Sequence, residues 1–230
     1  MNNLAIIPAR GGSKRIPRKN IRDFLGAPMI SYSIKAAKNS GLFKTIMVST
    51  DDLEIAEIAK EYGAEIPFFR SPENSDDHAT TADVLLEVLD WYRQQPFNYE
   101  YACCIYPCAP LIQSETLIQA YELLLKGFDS MLPIVPFGYP LNRALQIRNG
   151  RIYFSSPEFA GTRSQDLPTY YHDTGQFYWL EIQAFLKSKQ LITENTGYVK
   201  LSETEAQDID TEEDWILAEL KYKLANELAK

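Results

Sequence analysis

Leu4-Ala5-Ile6-Ile7-Pro8-Ala9-Arg10-Gly11-Gly12-Ser13-Lys14-Arg15-Ile16-Pro17-Arg18-Lys19-Asn20 stands at the head of the chain. Its first third is an unbroken apolar run, the pattern of a strand buried on both faces of a parallel sheet. Directly behind that strand come five cations, Arg10, Lys14, Arg15, Arg18 and Lys19, with two adjacent glycines among them. Glycine lets backbone N–H groups approach a phosphate, and Arg and Lys supply charge. Ligands of open α/β sheets bind beyond the carboxyl ends of the strands, so the loop predicts a polyphosphate site. The other reading is a solvated basic loop. Neither G-x-x-x-x-G-K-[ST] nor G-x-G-x-x-G is present, which disfavours the P-loop and the dinucleotide fingerprint.

Outward from this stretch, strand and helix patterns alternate. Met29–Lys38 has helical spacing, Thr45–Thr50 reads as a strand, and Asp51 with Glu54 looks like a capping box for a helix over Leu53–Tyr62. A short strand at Glu65–Phe69, a helix at Thr81–Gln94, a strand at Tyr101–Tyr106, a helix at Ser114–Lys126 and a strand at Ser130–Val135 follow. Such alternation predicts an α/β fold: a mostly parallel sheet with helices on both faces. Between Phe137 and Tyr178 the helical period vanishes, and Asn149-Gly150 predicts a hairpin. Residues 137–178 therefore read as an irregular arm inserted into a single domain spanning 1–230, packing against another subunit. A return strand at Gln176–Leu180, a short helix at Glu181–Lys187, a strand at Tyr198–Leu201 and an amphipathic helix over Glu212–Ala229 complete the expectation.

Composition narrows the classes. With 230 residues, 45% hydrophobic and 23% charged, the chain is not a disordered one. Its net charge of -8 argues against a nucleic acid partner but not against a small anion in a local cationic pocket. No apolar stretch approaches the roughly 18 residues of a membrane span, so no membrane association is expected. The head carries no signal-peptide pattern, and Cys103, Cys104 and Cys108 lack zinc-ligand spacing. Reduced, buried thiols and a cytoplasmic location are the expectation.

Further loops carry chemistry. In Gln207-Asp208-Ile209-Asp210-Thr211 the two carboxylates alternate along an extended segment, so both face one way and suit a hard cation such as Mg²⁺. Thr211 with Asp214 as a helix cap is the structural alternative. The polar loop Arg70–Thr81 and the turn Tyr106-Pro107-Cys108-Ala109-Pro110 leave strand ends. The stretch Arg163–Tyr178 is dense in polar, aromatic and cationic groups fit for a polyhydroxylated acid, with Arg for a carboxylate and Gln or His for hydroxyls. His172 beside Asp173 hints at a catalytic dyad, although neighbours on an extended chain point apart.

Taken together, the head loop, Ser49-Thr50-Asp51 and Asp208-Ile209-Asp210-Thr211 resemble the CMP-sialic acid synthetase family, from about Asn3 to Leu220. The resemblance implies a Rossmann-like nucleotidyltransferase fold, with CTP and a nine-carbon 2-keto sugar acid giving a CMP-sugar and pyrophosphate. It implies that Arg10, Ser13, Lys14 and Lys19 hold the triphosphate, that Asn20 contacts the nucleotide, and that Arg70, Ala79 and Thr81 line the cytidine pocket. Asp208 and Asp210 would bind Mg²⁺, with Arg10, Lys14, Lys19 and Asp210 as the catalytic set. Tyr106, Arg163, Gln165, His172 and Gln176 are the remaining substrate-binding candidates. The arm matches the family's dimerisation segment, so a homodimer is implied in which Arg163 reaches a neighbouring site. Family members that use sialic acid usually carry Gln-Pro-Thr-Ser-Pro where this chain has Tyr106-Pro107-Cys108-Ala109-Pro110. The departure, with Arg163–Pro168 and Tyr171–Trp179, fits a branch that activates another bacterial nine-carbon acid. Activation of sialic or legionaminic acid and a non-catalytic binding homologue are the alternatives.

Overall fold

The computed structural model of the chain describes residues 2–228 and builds outward from β1 (Asn3–Pro8). Leu4 and Ile6 of this strand enter one core while Ala5 and Ile7 enter another, and all four are fully buried. That two-sided burial is why the run is apolar throughout. In chain order there follow the two-residue strands β2 (Asp23–Phe24) and β3 (Ala27–Pro28), α1 (Met29–Ser40), β4 (Phe43–Ser49), α2 (Leu53–Glu61) and α3 (Thr81–Arg93). Next come β5 (Tyr101–Ile105), α4 (Ser114–Leu124), β6 (Ser130–Pro136), β7 (Leu145–Arg148) and β8 (Arg151–Phe154). The chain closes with β9 (Tyr171–Asp173), β10 (Phe177–Glu181), α5 (Ile182–Ser188), β11 (Thr196–Lys200) and α6 (Glu212–Leu228).

The main sheet has the order β11-β6-β10-β5-β1-β4, with β9 added beside β6. β1 pairs in parallel with β4 and β5, and β11 in parallel with β6, while β10 runs antiparallel between β5 and β6. The sheet is thus mixed and mostly parallel, as expected. One core holds Ile30 and Ile34 of α1, Ile55 of α2 and Leu117 of α4; the opposite core holds Leu85 and Val88 of α3 and Phe185 of α5. Adjacent Cys103 and Cys104 fall on opposite sides, both unpaired and buried; Cys108, expected to be buried with them, is unpaired but only half-buried, because it lies at a cavity wall. Burial pushes the Cys104 thiol up to about 12, which makes it inert at neutral pH.

Two local expectations are corrected. Glu65–Phe69 forms no strand, only a single bridge from Glu65 to Met47, because Pro67 has no N–H to extend a ladder. The cap of α2 is Asp52, whose carboxylate accepts the Ile55 N–H at 3.0 Å, and not Asp51. The hairpin forms as read: Asn149 (φ 50°) and Gly150 (φ 71°) both lie in the left-handed region that a two-residue turn of this hand requires. Its eight strand residues are all exposed, Ile147 by 80% and Ile152 by 67%.

A third, small core was not visible in the periodicity. Ile16, Phe24, Met29, Ile209, Trp215 and Ala218 pack together, with Phe24 edge-on to Trp215 at 5.5 Å and to Tyr222 at 5.8 Å. The Arg22 guanidinium lies 4.5 Å over the Trp215 ring. Each large apolar side chain buried there, such as Ile16, Phe24 or Met29, contributes on the order of 1.5–3 kcal/mol. This cluster ties the head of the chain to its final helix. No helix among the described residues is long and apolar enough to cross a membrane.

Candidate active site

Behind β1 the chain turns into the loop Arg10–Asn20, which forms one wall of a cavity of about 630 Å³. The loop holds its shape through specific contacts. A side chain on Gly11 would meet the Asp52 carboxylate at 2.6 Å, and the Gly11 N–H donates to Asp51 Oδ1 at 2.9 Å. That N–H is therefore already engaged, contrary to the expectation that it waits for a phosphate. Arg18 adopts φ 57°, unusual for a residue with a side chain, and pairs with both Asp52 and Glu54 at the start of α2. The Asn20 amide donates to the Arg10 carbonyl at 2.8 Å and its Oδ1 accepts from the Cys108 thiol at 3.1 Å, so Asn20 braces the loop while also lining the cavity.

Four cations of the loop face the cavity, and each has an acidic or carbonyl neighbour. Arg10 donates to Asp77 Oδ1 at 2.9 Å and to the Asp76 carbonyl at 2.8 Å, and the Lys14 ammonium pairs with the same Asp77. Hydrogen bonding from Lys14, then Arg10, holds the Asp77 carboxyl below its ordinary value. Arg15 lies 2.7 Å from Asp210, and Lys19 donates to the Ile209 carbonyl at 2.5 Å while standing 3.7 Å from Asp210. Ser13 lines the same wall.

Asp208 and Asp210 form the opposite wall because Ile209 between them is fully buried in the third core. Alternation along the extended segment then turns both carboxylates to the cavity. Enclosure by the walls and the Asp210 charge push the Asp208 carboxyl up, with Lys19 opposing. Two like charges held this close favour a cation between them. Thr211 caps α6 in a reciprocal pair with Asp214: its hydroxyl accepts the Asp214 N–H at 3.2 Å, and the Asp214 carboxylate accepts the Thr211 N–H at 2.8 Å. The capping and ligand readings are thus compatible, carried by different acids. Among the described residues no three His, Cys, Asp or Glu side chains form a metal cage by themselves.

Asp173, Asp208 and Asp210 also line a second, adjoining cavity of about 490 Å³. Its remaining walls come from the end of β6, Thr174, Gln207, Asp214 and Lys221 of α6. His172 lines it too, its ring 4.7 Å from Phe137 and its Nδ1 2.7 Å from the Asp173 carbonyl oxygen. The carboxylate of Asp173 accepts instead from the Gly175 N–H at 2.9 Å, so no His–Asp dyad forms.

Other anticipated residues sit elsewhere. Tyr106 lines the first cavity, its hydroxyl 3.0 Å from that of Thr81 and pushed up to about 12 by burial. Arg70 is buried beneath the end of β4, its Nε donating to Ser49 Oγ at 2.9 Å; burial lowers its pKa. Arg70, Ala79 and Thr81 are not among the residues lining either cavity. Gln176 is buried and donates to the Glu205 carbonyl at 2.6 Å, bracing the segment before Asp208 and not facing a cavity. Arg163 pairs with Asp166 at 2.9 Å on the exposed arm, and Gln165 is exposed beside it; neither reaches a cavity of this chain. Sequence reasoning missed Asp77 and Lys221 and read Asp173 only as a partner for His172, not as a lining residue of both cavities. Asp77 had a signal, an acid in a polar loop opposite a cationic one; Lys221 had none.

A mixed α/β sheet with a cationic loop behind its first strand and paired carboxylates opposite defines a nucleotidyltransferase-type fold and site. CMP:2-keto-3-deoxy-manno-octonic acid synthetase, in complex with CTP, shares that fold over 99% of this chain and 100% of its own, with a TM-score of 0.70 at 18% identity. Residues 4–199 match the cytidylyltransferase family, and the chain belongs to that family. It is 42% identical over 231 residues, 100% of both chains, to a pseudaminic acid cytidylyltransferase of Campylobacter jejuni. Against the CMP-N,N'-diacetyllegionaminic acid synthase of Legionella pneumophila the identity is 30% over 236 residues, 99% of each. The kinship read from the head loop and Asp208–Thr211 is borne out.

Proposed function

We propose that this chain activates pseudaminic acid, a nine-carbon 2-keto acid, with CTP to give CMP-pseudaminic acid and pyrophosphate. One observation carries the reading: Asp208 and Asp210 stand on a wall common to two cavities, the first of which is faced by Arg10, Lys14, Arg15 and Lys19. A triphosphate fits the cationic cavity, a sugar acid fits the other, and the reacting atoms meet at the wall. The full-length likeness to pseudaminic acid cytidylyltransferases supports this sugar over sialic or legionaminic acid.

In the reaction the C2 hydroxyl oxygen of the sugar bonds to the α-phosphorus, the bond to the bridging oxygen breaks, and pyrophosphate departs with that electron pair. The hydroxyl proton is released. Arg10, Lys14 and Lys19 would draw charge from the leaving group, and Asn20 would keep the loop in position. Asp208 and Asp210, two carboxylates open to phosphate oxygens, suit Mg²⁺, which takes one or two carboxylates plus substrate phosphates. When bound, Mg²⁺ supplies Lewis-acid neutralisation of phosphate charge. The exposed apolar hairpin of the arm fits a homodimer in which Arg163 serves the neighbouring site, and free buried thiols and the use of CTP fit a cytoplasmic location.

The test is pyrophosphate release from CTP with pseudaminic, sialic or legionaminic acid, each with and without EDTA. Release that requires pseudaminic acid and is abolished by EDTA is expected. CTP binding with no release from any sugar would make the chain a binding homologue.

A further inference from the structure

The second cavity poses an electrostatic problem for an acidic substrate. Asp173, Glu203, Asp208, Asp210 and Asp214 all line it, and the one Lys or Arg among its lining residues is Lys221. An anion entering such a space needs a counter-charge beside its own. Lys221 reaches inward from α6, partly buried. Its ammonium donates to the Ala206 carbonyl at 2.7 Å and to Gln207 Oε1 at 2.9 Å, and its third N–H has no acceptor among the described residues. Ala206 and Gln207 directly precede Asp208. At roughly 3.3 Å per extended residue, these two contacts lie about 3–7 Å along the chain from Asp208, and Lys221 and Asp208 line the same cavity, on whose wall the sugar's C2 oxygen reacts in the proposed chemistry. A C1 carboxylate sits on the carbon bonded to C2 and therefore falls in the same place. Thr174 lines this cavity as well, and its buried hydroxyl has no hydrogen-bond partner, a sign of a cavity built for a polar ligand.

We infer that Lys221 is the specificity-determining residue that binds the C1 carboxylate of the sugar acid. The inference rests on the proposed sugar-acid chemistry but not on which nonulosonic acid is used. The ammonium does double duty: two N–H groups fix the segment leading into Asp208, and the third selects an acid over a neutral sugar.

The experiment compares wild type, Lys221→Met and Lys221→Arg in the full chain, with CTP binding measured by calorimetry in the absence of sugar. Sugar-acid KM is measured at saturating CTP, and the C1 carboxamide of the same sugar serves as a competing ligand. Lys221→Met is expected to raise the KM for the acid at least tenfold and to leave the Kd for CTP within about twofold. The preference for acid over amide should fall at least tenfold. Lys221→Arg, which keeps the charge, is expected to retain most of that preference. If Lys221→Met weakens acid and amide alike, or weakens CTP as much as the acid, the lysine only braces Ala206 and Gln207 and the inference is overturned. The wild-type arm keeps the two claims apart. Turnover of sialic or legionaminic acid in place of pseudaminic acid corrects the substrate, and the Lys221 comparison is then read with that acid, since all three carry the carboxylate.

Discussion

The two cavities share a wall and differ in everything else. The first takes its charge from one contiguous loop, Arg10 to Lys19, laid down directly behind a strand. The second draws on β6, residues 172–174, residues 203–214 and α6; its acids push an anion away, and one lysine, Lys221, opposes them. The cations of that loop are already matched by Asp77 and Asp210, so in the proposed reaction a polyphosphate meets positive groups that carboxylates hold in place. The adjoining acid-rich cavity admits a sugar acid only where a counter-charge is supplied.

Breaking the wall itself should cost most. Asp210→Ala is expected to lower turnover by on the order of 10³-fold, since several kcal/mol of charge stabilisation go with the metal. The fold should persist: the variant loses a partly exposed pair with Arg15, worth about 1 kcal/mol or less, so Tm shifts by no more than about 2–4 °C. Full activity in a folded Asp210→Ala protein would remove the wall from the mechanism.

The next effects are smaller and of opposite sign. Lys19→Ala is expected to weaken CTP about 10- to 100-fold, the loss of one charge-assisted hydrogen bond. Asp77→Asn, by contrast, frees Arg10 and Lys14 and should tighten CTP by about two- to fivefold, as for a screened surface pair. Calorimetry on the two variants checks both. Weaker binding in Asp77→Asn would mean that the carboxylate orients the cations and does not compete with phosphate.

The smallest effect sharpens the contrast between the loop's scaffold and its charges. Arg18, foremost through its hydrogen bond, holds the Asp52 carboxyl below its ordinary value of 3.8. A lowered carboxyl contributes stability that is whole above the unfolded value and is lost as pH falls through the folded one. Asp52→Asn, which can still cap α2, should therefore cost under about 1 kcal/mol near neutrality, and the difference from wild type should vanish in strong acid. Denaturant melts at neutral and acid pH measure it; a constant difference would assign the loss to capping.

Legibility in the sequence followed locality. Strand β1, the hairpin at Asn149-Gly150 and the cationic loop are written in adjacent residues, each with a short-range physical signature. The alternation of Asp208 and Asp210 about Ile209 was readable too, because two-residue periodicity needs no partner. Arg70 illustrates the limit: a cation in a polar loop looks like a ligand-binding group until it is seen buried against Ser49.

The sequence by itself determined the mostly parallel α/β sheet, the cationic loop behind its first strand and the family. Only the tertiary structure decided that Lys19 meets the Ile209 carbonyl, 190 residues away. It decided likewise that Lys221 enters the second cavity and that Asp77 answers Arg10. The reason is the small aromatic core around Phe24, Ile209 and Trp215, which joins the two ends of the chain. Contacts made by packing at such separations leave no periodicity, spacing or composition for a linear reading to find.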